Sequence, residues 1–261
     1  MSSVAIMGRP TSDRRCVYVD DVDAAVAQIA ANVRRHPVAA AITDDVLRAD
    51  TGAHGIFAGL VTESLAYSTL QAGTDFRQWL AGRAPAWHQQ HDPVVAHRDG
   101  DHLDIAFNRP AQHNAFSNAL RAGLIDALTV AVLDVTIAAV TLRGVGRSFC
   151  SGGDLGEFGL LDDPASAHVA RTRHSPALVI DRLTGRLGDH AAARVHGAVL
   201  GSGLEMAAFF GRICAHPRTR FGLPELGLGL LPGAGGTVSI TRRIGRWRTA
   251  YLILSGRQID A

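Results

Sequence analysis

Residues 192–210 read AARVHGAVLGSGLEMAAFF, and the order of residue types in this stretch decides the architecture. Ala192–His196 is a short apolar run of the kind that forms a buried strand. Gly197, Gly201 and Gly203 punctuate the next segment, and an apolar helix is predicted from Gly203 to Phe210. A strand that passes through a glycine-rich turn into a helix lets a ligand approach the backbone and leaves the first N–H groups of the helix free. One acid, Glu205, stands among Leu204, Met206, Ala207 and Ala208. A carboxyl buried in such company acquires either a partner or a raised pKa, and the second is what a general acid or base near neutral pH requires.

The same layout recurs upstream. Ile137–Arg143 (IAAVTLR) is a continuous apolar strand, and it leads to a second glycine-rich loop, Ser148-Phe149-Cys150-Ser151-Gly152-Gly153-Asp154-Leu155. Two such loops could together present backbone N–H groups to a developing anion, or be no more than two tight turns. Before them, VVAHRDGDHLDIAFN at 94–108 predicts strands at 94–98 and 102–107 around the turn dipeptide Asp99-Gly100. Asn114 or Ser117 can cap a helix carrying Leu120, Leu124, Ile125, Leu128 and Val132. A β–β–α–β order emerges, and a helix over about 168–187 followed by Ala192–His196 repeats it. Downstream lie an apolar turn at Ile213–Ala215, the segment Phe221-Gly222-Leu223-Pro224-Glu225-Leu226-Gly227 with a second acid in apolar surroundings, and an arginine-rich helix over 237–254. Glu205 and Glu225 either act as acid and base or pair with arginines; spacing leaves both open.

The first 93 residues have a different character. Residues 1–15 read as a loose tail and Val17–Val19 as a short strand. A helix comes next, with Val22, Val26, Ile29, Ala30 and Val33 on one face, acids in its first turn, and Arg34, Arg35 and His36 in its last. Pro37 ends it. Residues 38–43 (VAAAIT) suit a buried strand, and 56–71 and 74–81 read as helices. GRAPAWHQQHDP at 82–93 loses all apolar periodicity and marks a boundary between a mostly helical module, 1–93, and a core, 94–261.

Composition narrows the chemistry. The 26 basic residues are all arginine, which excludes Schiff-base lysines and P-loop NTPases. A net charge of +2 is too small for a general nucleic-acid or anionic-membrane binder. Cys16, Cys150 and Cys214 form no CxxC pair, and the scattered histidines 88, 91, 97 and 102 lack metal-ligand spacing, so no metal is expected. There is no GxSxG, no HExxH and no complete dinucleotide fingerprint. The arginines at 242, 243, 246 and 248 suit a solvated helix face or a phosphate contact. A 261-residue chain without a basic, apolar leader or a long uncharged apolar run reads as soluble and cytoplasmic.

Five segments in this order, Asn108-Arg109-Pro110 with Asn114-Ala115, Ser148–Leu155, Gly197–Glu205, Phe221–Glu225 and Leu231-Pro232-Gly233-Ala234-Gly235-Gly236-Thr237, resemble the crotonase (enoyl-CoA hydratase/isomerase) superfamily. The match runs from about residue 94 to 261. The resemblance implies an α/β fold, a spiral of repeated ββα units assembled as a homotrimer or hexamer, that binds acyl-CoA thioesters. No cofactor is implied beyond the coenzyme A of the substrate. Carried over by position, the N–H groups of Gly153 and Ser202 form an oxyanion hole for the thioester enolate, and Glu205 and Glu225 are the catalytic acids. Ser151, Gly152, Asp154, Leu155, Gly201, Pro232 and Gly233 are the expected substrate-binding positions. Both acids together imply syn hydration of a 2-enoyl-CoA; the alternatives are double-bond isomerisation, another thioester-enolate reaction, or a non-catalytic acyl-CoA-binding subunit. The family continues past the position of Ala261 into a helical C-terminal segment, so that segment is expected to be truncated here. The N-terminal helices are expected either to supply its cover or to pack as an unrelated appendage.

Overall fold

The computed structural model describes residues 4–49, 55–83 and 92–261. β1 (Ala5–Met7) pairs in parallel with β2 (Cys16–Tyr18), which corrects the expectation of a loose tail before residue 16. Ile6 and Val17 lie in register and pack beside Val19, Ala25 and Tyr251. That burial comes from the far end of the chain, where a local reading has no access.

α1 (Val22–Arg35) is capped by Asp21, whose side chain accepts from the Ala24 N–H at 2.9 Å. Pro37 then opens α2 (Pro37–Arg48) instead of a strand. At the first helical position its missing N–H costs nothing, and Ala39, Ala40, Thr43, Val46 and Leu47 fall on one buried face. A six-residue apolar run suits either element, and here packing chose the helix. α3 (Gly55–Gln71) and α4 (Thr74–Ala81) stand where the periodicity places them. Most of the expected linker, with His88 and His91, lies outside the described residues.

The next elements are β3 (Val94–Asp99), β4 (His102–Phe107), α5 (Asn118–Leu133) and β5 (Ala139–Gly144), with Ser117 capping α5 through the Leu120 N–H. The single helix expected over 168–187 is two, α6 (Pro164–Arg173) and α7 (Pro176–Leu187), because Pro176 cannot continue a helix. β6 (Ala191–Val195), β7 (Ala198–Leu200) and α8 (Ser202–Ala207) come after them. The expected turn at 213–215 belongs to a strand, β8 (Arg212–Ala215), and β9 (Arg220–Gly222) succeeds it. The helix expected over 237–254 is broken at Gly245 into α9 (Gly236–Ile244) and α10 (Arg246–Ser255), before a final short β10 (Ile259–Asp260).

The main sheet has the order β3-β4-β5-β6-β8, antiparallel at the β3–β4 hairpin and parallel elsewhere. A second sheet, β10-β9-β7, lies beyond it. From β6 to β9 the strands alternate between the two sheets, and α5 and α7, which connect strands of the main sheet, pack together. One apolar cluster runs from Ala39, Leu60 and Phe76 of the N-terminal helices to Phe107, Met206 and Ile253. The N-terminal helices share the core of residues 94–261.

Candidate active site

Backbone hydrogen bonds bring the two glycine-rich loops side by side. The Cys150 N–H donates to Ala198 O at 3.1 Å, and the Leu200 N–H donates to Cys150 O at 3.0 Å. Further along, Phe116 N–H donates to Gly152 O (2.8 Å) and Asp154 N–H to Phe116 O (3.1 Å). This pairing passes over the Gly153 N–H, which faces the other way. The Ser202 N–H, at the first position of α8, has no intrahelical partner. Neither group donates to a protein acceptor among the described residues, and both residues line a cavity of about 340 Å³.

Glu205 and Glu225 line the same cavity. Glu205 projects from α8, and its Oε2 accepts from the N–H groups of Ala234 (2.7 Å) and Gly236 (2.8 Å). Gly236 must be glycine, since a Cβ there would lie 2.7 Å from Glu205 Cγ. Burial raises the Glu205 carboxyl to about 7, with the two N–H donors opposing part of the rise. Glu225 opens a single turn after β9; its Oε2 is buried and meets no hydrogen-bond partner among the described residues. Burial, then the charge of Glu205, holds its carboxyl well above the usual range. Neither acid forms an ion pair with an arginine among the described residues, so the pairing alternative is set aside.

Of the expected binding positions, Ser151, Gly152, Asp154, Leu155 and Gly233 line the cavity. Gly201 and Pro232 do not. Gly201 lies behind Glu225 at φ 46°, and a Cβ there would collide with Glu225 Oε1; Pro232 is buried against Gly236. Asp154 is tied from behind by Arg109, a buried guanidinium 2.9 Å from Asp154 Oδ2. Asn114 donates to Val145 O (3.0 Å) and Ser148 O (2.8 Å) and accepts from the Arg109 N–H (2.8 Å), so Arg109 and Asn114 brace the first loop. The arginines of α9 and α10 are likewise occupied in the fold: Arg242 pairs with Asp181, Arg243 donates to Ala208 O, Arg246 lies over Trp247 and Arg248 donates to Cys16 O.

Three site residues escaped the sequence reading, and two come from α3. Glu63 is buried; its Oε1 accepts from the Gly235 N–H (2.6 Å), and its Oε2 from the Thr237 N–H (2.8 Å) and Oγ1 (2.7 Å). Successive N–H groups of one loop are thus shared alternately between Glu205 and Glu63. Tyr67, one helical turn on, lines the cavity beside Gly233, and Arg171 of α6 lies 4.5 Å from its ring centroid. Their signal was present: Leu60, Glu63, Ser64, Tyr67 and Ser68 fall at helical spacing on one buried face.

Burial and the neighbouring Glu205 raise Glu63 to about 8. Glu63, Glu205 and Glu225 therefore bind protons more tightly folded than unfolded. Their contribution to stability is complete below the unfolded value of 4.5 and is lost as pH rises through about 7 to 8. Thermal melts should show Tm falling by about 5 °C or more between about pH 5 and about pH 8.5. A flat profile over that range would contradict this account of the three carboxyls.

Residues 102–261 match the sequence profile of the family described as enoyl-CoA hydratase/isomerase. The chain is 34% identical over 171 residues to the 2,3-dehydroadipyl-CoA hydratase of Escherichia coli strain K12, covering 64% of each chain. It is 29% identical over 187 residues to the mitochondrial enoyl-CoA hydratase of Pongo abelii, covering 69% of this chain and 62% of the relative. The crystal structure of enoyl-CoA hydratase from Thermoplasma volcanium GSS1 superimposes with a TM-score of 0.55 at 29% identity, covering 66% of this chain and 67% of that one. The chain spans less than two thirds of the length of these two curated relatives.

Proposed function

The chain belongs to the enoyl-CoA hydratase/isomerase family, and from that premise we propose that it adds water to a 2-enoyl-CoA to give a 3-hydroxyacyl-CoA. The observation that carries the reading is the convergence of two carboxyls of raised pKa, Glu205 and Glu225, on one cavity with the N–H groups of Gly153 and Ser202.

The environments of the two acids divide their roles. Glu205 accepts two N–H bonds that favour its carboxylate, so near neutral pH it is the group able to take a proton from water. Glu225 is held protonated and supplies the proton to the α-carbon. The water oxygen bonds to the β-carbon as its proton passes to Glu205. The π electrons move onto the thioester oxygen, where the Gly153 and Ser202 N–H groups would hold the enolate. Collapse of the enolate takes the Glu225 proton to the α-carbon, and transfer of the Glu205 proton back to Glu225 through solvent closes the cycle.

On the same reading coenzyme A enters as part of the substrate, with no separate cofactor, and the protein works as a homotrimer or hexamer in the cytoplasm. No helix among the described residues is long and apolar enough to cross a membrane. The test is the loss of conjugated-thioester absorbance when the protein meets 2-enoyl-CoAs of graded length, including one with a distal carboxylate. Turnover on one or more is expected. Conversion of 3-enoyl-CoAs to 2-enoyl-CoAs without hydration would replace the reading by isomerase, and binding without turnover by a non-catalytic subunit.

A further inference from the structure

Tyr67 presents a polar atom that no described residue uses. The residue is 8% exposed, yet its hydroxyl hydrogen-bonds to no described residue, and it lines the cavity shared by Glu205 and Glu225. A buried phenol ordinarily finds a partner. Its ring is fixed on two sides: a Cβ on Gly233 would lie 2.5 Å from Cδ2 and Cε2, and the Arg171 guanidinium lies 4.5 Å from the ring centroid. Arg171 is anchored in turn by Ser64 Oγ (3.2 Å), Gln71 Oε1 (2.9 Å) and Ser68 Oγ. Glu225, a residue of the same cavity wall, has a sealed Oε2 that meets no described partner. Tyr67 is near enough to feel the charges of Glu225, Glu205 and Glu63.

A hydroxyl without a described partner, on a residue that shares its cavity with Glu205, suits a ligand that brings an oxygen to it. In the hydration reaction that oxygen is the one added to the β-carbon. Resting on that reading, we propose that Tyr67 is a further catalytic residue, whose hydroxyl hydrogen-bonds to the reacting oxygen while Glu205 takes its proton. The phenol undergoes no net proton transfer. It orients the lone pair of water toward the β-carbon, and in the reverse direction it holds the departing hydroxyl. α3 thus contributes Tyr67 to the chemistry and Glu63 to the loop that carries Glu205.

Tyr67→Phe removes one oxygen and keeps the ring that fills this space, so the variant tests the hydroxyl alone. The expected result is a loss of kcat of about 30-fold or more with KM within about threefold. In the same variant, exchange of an α-hydrogen of a saturated acyl-CoA with deuterated solvent should fall by no more than about threefold, because that exchange involves no β-oxygen. Hydration within about twofold of the parent would overturn the assignment, and so would equal losses of hydration and exchange, which would place the hydroxyl on the enolate or in packing. A parent protein inactive on every 2-enoyl-CoA would remove the hydratase reading and this inference with it. An active parent with a fully active Tyr67→Phe variant removes the inference alone.

Discussion

Replacing Glu205 with glutamine is expected to lower kcat for enoyl-CoA hydration by at least about a thousandfold while leaving the protein folded. The amide oxygen can still accept from the Ala234 and Gly236 N–H groups, so the loop keeps its anchor. What is lost is the ability to take a proton from water. Relief of a buried, proton-sensitive carboxyl should leave Tm unchanged or raise it, most visibly above about pH 7. Glu225→Gln should lose hydration to a similar degree, through the missing proton for the α-carbon. Rate measurements on a 2-enoyl-CoA that the parent turns over, paired with thermal melts, decide the matter; a Glu205→Gln variant retaining more than about a tenth of the activity would rule out this acid–base assignment.

The second large effect is expected at Glu63, outside the residues that match the family profile. Glu63→Ala leaves the Gly235 N–H, the Thr237 N–H and the Thr237 hydroxyl without their acceptor in a buried setting. Each orphaned buried donor costs about 1–3 kcal/mol, and removing the side chain leaves a cavity as well. Avoiding the burial of a carboxyl offsets part of this. A net loss of about 3 kcal/mol, read as a Tm lower by about 10 °C, is expected. Hydration should fall too, because the same loop supplies both N–H donors to Glu205. Glu63→Gln keeps the shape and one acceptor oxygen and should recover much of the stability. A Tm within about 2 °C of the parent for Glu63→Ala would show that the loop holds itself without α3.

The motifs around these residues were legible because their physics is local. The strand over Ala192–His196 and a glycine segment opening a helix that carries one acid can be read from 192–210 alone, although the short β7 within that segment and the end of α8 at Ala207 cannot; the Ser148–Leu155 loop and the Asp99-Gly100 hairpin are equally local. Element boundaries failed where one residue had two possible effects. Pro37 both ends α1 and begins α2, and Pro176 and Gly245 each divide a helix that periodicity read as continuous. The strand at Ala5–Met7 was invisible because its partner strand and the Tyr251 it packs near are brought together only by folding. Gly201 and Pro232 stand in motifs that suggest ligand contact, yet neither lines the cavity: Gly201 leaves room for Glu225 and Pro232 is buried against Gly236, contacts that depend on the fold.

By itself, the sequence determined the chemistry available to this protein: two acids in apolar surroundings, two glycine-rich loops able to present backbone donors, and no lysine, CxxC pair or complete nucleotide fingerprint. Only the tertiary structure decided that Glu63 and Tyr67 belong with them. A carboxyl on α3 and a loop near the C-terminus share no local pattern. They meet because the N-terminal helices and the two-sheet core bury their apolar faces in one cluster, and that burial carries the polar side chains of α3 into the site.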